Sequence, residues 1–482
     1  MSTKKTAYDE LMGRKGEIIR KAVGLDYTEF ESGSIAFDFE RMMQSTGYTI
    51  ENIQAIQMET GVGNTPIYEL RNLTKLARKF APRGKGARIF LKDEASNPSG
   101  SFKARRAATS VYHAKKHGYK GVIAATSGNY GAAVASQAAM RGLDCIIVQE
   151  CYDSRGIGQP EIIEKARKCE AYGAEVMQLS VGPELFFTFL KLLEDTGFFN
   201  ASLYTTFGVT GIETIGVEIA RQMRDLTGAA PSAVVATNAG GGNLTGTARG
   251  LRAAGAESSR VIAASVNLAG LNMASDTQFN RKSFTTGHTG FGIPYTTFPD
   301  RSDVPRSAAR PLRYMDRYVT VNQGEVFYMT EALARAEGLE RGPAGNTSLA
   351  AAFSVAQEMA ENETIVVQET EYTGAGKHVQ PQLAFARENG IQIRFGDPGE
   401  EVPGTSIILP SDPSLIHARD IDLDELKRSY IRNSIDFAAG LSTSPGGKAG
   451  LRFDDDDLRF LAAETRYTVE QVADIIETLG IR

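Results

Sequence analysis

The sequence predicts an α/β fold built on parallel sheets covered by helices on both faces. Three observations predict it. Between residues 121 and 266 short apolar runs alternate with helix-length segments, the pattern of strands joined by helical crossovers. Glycine-containing turns follow several of those runs, at the carboxyl ends of strands, where ligands bind in such folds. The 49 glycines of the 482-residue chain gather beside apolar runs rather than in a low-complexity tract, which marks tight turns and close approach of backbone to ligand.

Composition bounds the rest. The length predicts two large or three ordinary domains, and a hydrophobic fraction of 42% suits large buried cores. A net charge of −5 leaves no basic footprint for nucleic acid, though a local anion site remains possible. Cys145, Cys151 and Cys169 are odd in number and form no C-x-x-C pair. That is neither a disulfide framework nor a metal-site spacing. No run of 18 apolar residues occurs and the first residues carry no apolar signal region, so a soluble cytoplasmic enzyme with no membrane span is expected.

Taken in order, residues 1–60 read as a helical arm with an extended segment near 33–37. Ile50, Ile53 and Ile56 recur at helical spacing. An arm of this kind would wrap the body or a partner subunit. The turn Gly61-Val62-Gly63-Asn64-Thr65-Pro66 leads to a strand at 67–70, and a second strand follows at 87–92. That strand runs into Asn97-Pro98-Ser99-Gly100-Ser101-Phe102-Lys103. Pro98 and Gly100 mark a tight turn, and Ser99 or Ser101 suits a helix cap. Lys103 then lies in a first helical turn, where the positive end of the helix dipole favours a neutral amine. A neutral amine is what Schiff-base chemistry needs.

Beyond the helix at 105–117 come strands at 122–125, 145–149, 174–179, 234–237 and 260–266. Helices at 132–140, 160–169, 182–195 and 210–224 lie between them. Residues 267–320 read as irregular and polar, with His288 flanked by glycines. A loop of that length in a compact domain serves function or a partner. A helix at 323–336, a turn at Arg341-Gly342-Pro343-Ala344-Gly345, a helix at 346–359 and a strand at 364–369 follow. Thr373-Gly374 lies just after that strand. Past residue 396 the pattern shifts to prolines, glycines and acids, a structural or interfacial tail. Asp454 to Asp457 reads as a solvated helix start, and Thr468-Val469-Glu470-Gln471 has capping-box spacing. The domains expected are an arm (1–60), a large domain (61–104 with 216–395), a small α/β domain (105–215) and a C-terminal extension (396–482).

Four loops ask for one explanation. They are the Lys103 turn, the turn Thr126-Ser127-Gly128-Asn129-Tyr130-Gly131, the loop Gly240-Gly241-Gly242-Asn243-Leu244, and Thr373-Gly374. The second and third would present backbone N–H groups at helix N-termini, which suits anions. Gly240, Gly242 and Gly246 loosely imitate a dinucleotide fingerprint. That fingerprint expects an acid at the end of the next strand, and Asn267 stands there instead.

These segments, with Gly211-Ile212-Glu213-Thr214-Ile215-Gly216-Val217-Glu218 and Gly342-Pro343-Ala344-Gly345, resemble the fold-type II pyridoxal-phosphate enzymes, the superfamily of threonine synthase and the tryptophan synthase β-subunit. They occur in that family's order over residues 60–380. Further stretches resemble the β-subunits of 2-amino-4-oxopentanoate thiolases of ornithine degradation. These are residues 30–38, 149–153, 181–186 and 284–292, and with them the resemblance spans nearly the whole chain. Many relatives carry an acid directly after the Schiff-base lysine, where this chain has Ala104.

The resemblance implies two three-layer domains of the tryptophan synthase β kind. It implies pyridoxal 5'-phosphate in Schiff-base linkage to Lys103, which also moves protons. Asn129 would meet the cofactor's phenolic oxygen, Gly240, Gly241, Gly242, Asn243 and Leu244 its phosphate, and Thr373 its pyridine nitrogen. Thr126, Ser127, Gly128 and Tyr130 would form the substrate-carboxylate loop. The implied reaction is thiolysis. Coenzyme A attacks the C4 carbonyl, the C3–C4 bond breaks, and acetyl-CoA and alanine leave. A small α-subunit is the implied partner, with a homodimer of this chain inside a hetero-oligomer. Cys151 is read as structural, His288 as a loop histidine or a further acid–base group, and Arg281 and Lys282 as a solvated pair or ligands to coenzyme A phosphates. Threonine synthase-like or β-replacement chemistry would use the same cofactor residues, so the loops alone do not separate these reactions. A catalytically silent regulatory subunit would have no use for Lys103.

Overall fold

The computed structural model describes residues 6–126, 128–268, 279–285, 303–372, 379–441 and 452–479. The apolar runs assemble into two sheets. The larger has seven strands in the order Arg419–Asp420, Arg317–Val321, Arg260–Val266, Ala233–Thr237, Thr364–Glu369, Arg88–Asp93 and Ile67–Glu69. Its five central strands are parallel and its two edge strands antiparallel. The smaller sheet is all parallel: Glu175–Ser180, Asp144–Tyr152, Gly121–Thr126 and Phe199–Asn200. Parallel neighbours need crossovers, and the helices between the strands supply them. Thr364–Glu369 and Gly121–Thr126 are buried at every position, which is why they read as unbroken runs rather than alternating ones.

Register sets the level of the site. Glu369 pairs with Asp93 at the ends of two adjacent strands. The Lys103 turn and the segment after Glu369 therefore leave the sheet side by side. The long helices Thr206–Thr227 and Gly242–Ala253 cross at close range through Gly216, Gly246 and Gly250, where a Cβ would strike the partner helix. In the 211–218 segment Gly216 serves this crossing, while Gly211 lies against the Arg105 carbonyl of the Lys103 helix.

Three expectations change. Residues 317–320 were expected to be irregular and instead lie in the strand Arg317–Val321 beside Arg260–Val266. The run Tyr318-Val319-Thr320-Val321 is short and follows a polar stretch, so its β character showed only against a neighbouring strand. The helix after the glycine loop starts at Gly242 itself. Asp457 is not solvated. It is 0% exposed, and its Oδ1 accepts the N–H groups of Ser34 (2.9 Å), Ile35 (2.8 Å) and Ala36 (2.9 Å). It is also the N3 residue of a capping box that starts the helix Asp455–Thr465. One buried carboxylate thus ties the extended segment of the arm to the tail.

The arm folds as the helices Ala7–Gly13, Lys15–Val23, Phe39–Gln44 and Ile50–Met58. In the last of these Ile53 and Ile56 are buried. Gln57 reaches inward and donates to the carbonyls of Arg105 (3.2 Å) and Gly211 (2.7 Å). In the tail, Leu426, Tyr430, Ile431 and Ile435 join the same core cluster as Ile212, Ile215 and Val234, so the helix Leu423–Leu441 covers part of the main core.

Candidate active site

Lys103 is the first residue of the helix Lys103–Lys116. It is half-buried, with Nζ 4.8 Å from the centre of the Phe102 ring. The turn before it is held by backbone. Gly100 accepts from the Tyr372 N–H (2.8 Å), and the Phe102 N–H donates to Thr370 (3.1 Å). Ser99 and Gly100 both adopt left-handed angles, φ 65° and 76°. A Cβ on Gly100 would collide with the Tyr372 carbonyl, so glycine is needed there. The serine cap expected for this helix does not form. Phe102 is the N-cap, and the N–H groups of Ala104 and Arg105 turn back to the carbonyls of Ser101 and Phe102. Among the described residues the buried hydroxyls of Ser99 and Ser101 have no partner.

Asn129 opens the helix Asn129–Arg141. It is 7% exposed and its Nδ2 has no partner among the described residues. Thr126 Oγ1 accepts the N–H groups of Gly128 (3.0 Å) and Gly131 (3.3 Å). The turn therefore uses those two donors on itself and leaves the amides of Asn129 and Tyr130 to face an anion. The Tyr130 ring is buried and its hydroxyl donates to the Ala201 carbonyl at 2.5 Å, so this side chain supports the loop from below. Lys165, absent from the sequence reading, stands against the same turn. A Cβ on Gly128 would lie 3.2 Å from its Nζ, and Glu161 pairs with it at 2.5 Å. Its neighbour Lys168 donates to the Ser99 carbonyl at 2.8 Å.

The glycine loop is tight on its protein side as well. A Cβ on Gly240 would overlap the Tyr204 hydroxyl, and one on Gly241 would meet Pro311. Asn243 donates to Gln368 (2.8 Å), which donates to Thr247 (3.2 Å), while Asn243 Oδ1 is buried without a partner among the described residues. Leu244 is 0% exposed in the core, so only its backbone can serve a ligand. Thr237 Oγ1 and Asn238 Oδ1, at the end of the preceding strand, are likewise buried and have no partner among the described residues. Ser127, Thr373 and His288 lie outside the described residues.

These loops put an amine, two helix N-termini with unused amides, and orphaned buried polar atoms on Ser99, Ser101, Asn129 and Asn243 at strand ends of the two sheets. Such orphans are rare in finished interiors. The set fits a planar aldehyde cofactor that carries a phosphate and polar ring substituents. Residues 58–371 match the family model described as pyridoxal-phosphate dependent enzyme. The chain belongs to the pyridoxal-phosphate dependent enzymes.

Among relatives of this pyridoxal-phosphate enzyme, a 2-amino-4-ketopentanoate thiolase beta subunit from Acetoanaerobium sticklandii is 68% identical over 477 residues, 99% of each chain. A second protein of that description, from an unknown prokaryotic organism, is 60% identical and also covers 99% of each chain. A threonine synthase from Halalkalibacterium halodurans is 37% identical over 120 residues, 25% of this chain and 29% of that one. Among solved structures, maize serine racemase superposes with a TM-score of 0.51 at 20% identity, over 70% of this chain and 98% of that one. This confirms the expected fold class.

In the first turn of the Lys103 helix, the pyridoxal-phosphate enzyme carries an arginine at the centre of a buried ionic cluster that sequence reading missed. Arg105 is 0% exposed. It donates from Nε and Nη2 to Glu94 (2.7 and 2.8 Å) and from Nη1 and Nη2 to Glu218 (2.8 Å each), with a further bond to Thr214 (2.9 Å). Lys92 pairs with Glu218 at 2.7 Å. The two cations hold the Glu218 carboxyl well below the ordinary carboxylate range against the opposing effect of burial. The signal was present in the sequence: basic residues in a first helical turn oppose the dipole, so Arg105 and Arg106 there imply dedicated partners.

The other candidates fall elsewhere. Cys151 is 1% exposed, and burial with nearby Glu150 and Glu170 pushes its thiol up to about 12, which removes it as a nucleophile. Arg281 is exposed on the short helix Phe279–Lys282, and Gly404 of the tail lies beside Lys282. Among the described residues no helix is long and apolar enough to cross a membrane.

Proposed function

We propose that this chain catalyses the coenzyme A-dependent cleavage of 2-amino-4-ketopentanoate (2-amino-4-oxopentanoate) to acetyl-CoA and alanine. It acts as the cofactor-bearing subunit of a two-subunit cytoplasmic thiolase, paired with a second copy of itself and with a small α-subunit. The observation that carries this reading is the 68% identity over 99% of both chains. That match runs past the family region 58–371 into the arm and the tail.

The residues fit the proposed roles. Amides at the start of the Asn129 helix hold the α-carboxylate, with the Lys165 ammonium close by. Pyridoxal phosphate at Lys103 supplies an electron sink for the amine-bearing carbon. Lys103 accepts the α-proton and returns it late in the cycle. The coenzyme A thiolate bonds to C4, the C3–C4 electron pair passes to C3, and a proton completes alanine there. Asn129 would donate to the cofactor's phenolic oxygen.

The test is product analysis with the purified chain, alone and co-expressed with the small partner. Acetyl-CoA and alanine are expected in equal amounts, only with coenzyme A, and not from Lys103→Ala. A partnered holoprotein that shifts its absorbance on binding 2-amino-4-ketopentanoate yet forms no acetyl-CoA would overturn the reading.

A further inference from the structure

Arg105 and Arg106 are adjacent, equally deep, and treated in opposite ways. Every charged nitrogen of Arg105 meets an acceptor, and two carboxylates balance it. Arg106 is 3% exposed and no carboxylate pairs with it among the described residues. Its Nη1 donates to the Leu203 carbonyl at 2.7 Å, and its buried Nε has no partner among the described residues. Burial alone pulls the guanidinium below its ordinary pKa, offset only by Tyr204 and Tyr130. A buried cation without a counter-charge is one of the more expensive arrangements a fold can hold.

Its position compounds the difficulty. The guanidinium rests against the glycine loop, and a Cβ on Gly242 would lie 2.8 Å from Nη2 and 2.9 Å from Nη1. Gly242 is the first residue of the 12-residue helix Gly242–Ala253, so the cation sits at the positive end of a helix dipole and is repelled by it. Phe102 ties this spot to the reacting amine. Its ring centre is 5.4 Å from the Arg106 guanidinium and 4.8 Å from Lys103 Nζ. Two positive features, both desolvated and pressed together beside the Schiff-base lysine, are relieved by an anion that touches both.

We propose that Arg106 is a further ligand of the cofactor phosphate, a full buried charge added to the backbone amides of the glycine loop. A dianion there accepts from the free edge of the guanidinium and from the first-turn amides at once. The glycine at 242 then has a second purpose, since any side chain would push Arg106 away from the loop. The proposal rests on family membership and not on the identity of the amino-acid substrate.

The experiment compares wild type, Arg106→Gln and Arg106→Lys as apo- and holoproteins. Binding of pyridoxal phosphate and of pyridoxal, which lacks the phosphate, is followed by absorbance. Arg106→Gln is expected to lose about 30- to 4000-fold in affinity for pyridoxal phosphate, the range for truncating one partner of a buried charge pair, and little for pyridoxal. Arg106→Lys keeps the charge and a donor for Leu203, so it should fold and lose less. Thermal unfolding gives a readout independent of activity. Relative to wild type, the apo form of Arg106→Gln should melt at the same or a higher temperature, because an unpaired cation has gone, and its holo form at a lower one. Equal losses for pyridoxal and pyridoxal phosphate, or a lower melting temperature in both forms, would show a merely structural arginine and overturn the proposal. So would unchanged cofactor affinity with a raised KM for coenzyme A, which would assign Arg106 to the co-substrate's phosphates.

Discussion

Removing Arg105 tests whether the ionic cluster under Lys103 positions the site. In Arg105→Met the side-chain volume is largely kept, but Glu94 loses its paired cation and Glu218 keeps only Lys92. Both carboxylate partners of Arg105 are at most 5% exposed in their side chains, so water cannot replace the lost bonds. Breaking a buried pair from one side costs about 3–5 kcal/mol, and the bonds to Thr214 and Thr65 are lost as well. Urea unfolding of the apoprotein should show a loss of about 4 kcal/mol. The double variant Arg105→Met with Glu94→Gln removes the stranded charge together with its cation. It should recover about half of that loss, because coupled neighbours are not additive. The reasoning fails if the single variant loses under about 1 kcal/mol, or if the second substitution adds its own full cost on top of the first. Arg105 also sits in the first turn of the Lys103 helix. The single variant should therefore bind pyridoxal phosphate more weakly even at temperatures where it remains folded.

Asp457→Ala should cost about 3 kcal/mol in unfolding free energy, because it strands three backbone donors of the arm that now share one carboxylate. Limited proteolysis should then cut near residues 33–37 well before the core. Glu401 gives a pH signature. Burial, with help from Glu325, raises its carboxyl to about 7 despite three backbone donors. The folded state therefore holds a proton that the unfolded chain releases near the ordinary value. This contribution to stability is complete below about pH 4 and falls as pH rises to about 7, by roughly 3 kcal/mol. Chemical denaturation across that range should show the slope, and Glu401→Gln should flatten it.

The cluster and the anion loops divide the work at this site. The loops present donors and an amine at strand ends, while Arg105, Glu94, Glu218 and Lys92 lock the strand Arg88–Asp93, the Lys103 helix and the helix Thr206–Thr227 into one block. Gln57 joins the arm to the same block through the carbonyls of Arg105 and Gly211. The arm is therefore part of the scaffold under the site.

What the sequence by itself determined is what depends on neighbours in the chain. The Pro98-Ser99-Gly100 turn, the amides offered at Asn129 and at Gly242, and the strand–helix alternation all follow from local conformational preference. The structure found them at those positions. Tertiary structure decided what depends on distant partners. Asp457 turned from a solvated acid into a clamp because Ser34, Ile35 and Ala36 arrive from the other end of the chain. Arg105 and Arg106, identical and adjacent, part company only when one meets Glu94 and Glu218 and the other meets the glycine loop. A side chain's charge is a property of its residue; whether that charge is balanced depends on which remote groups the fold brings within a few ångströms of it.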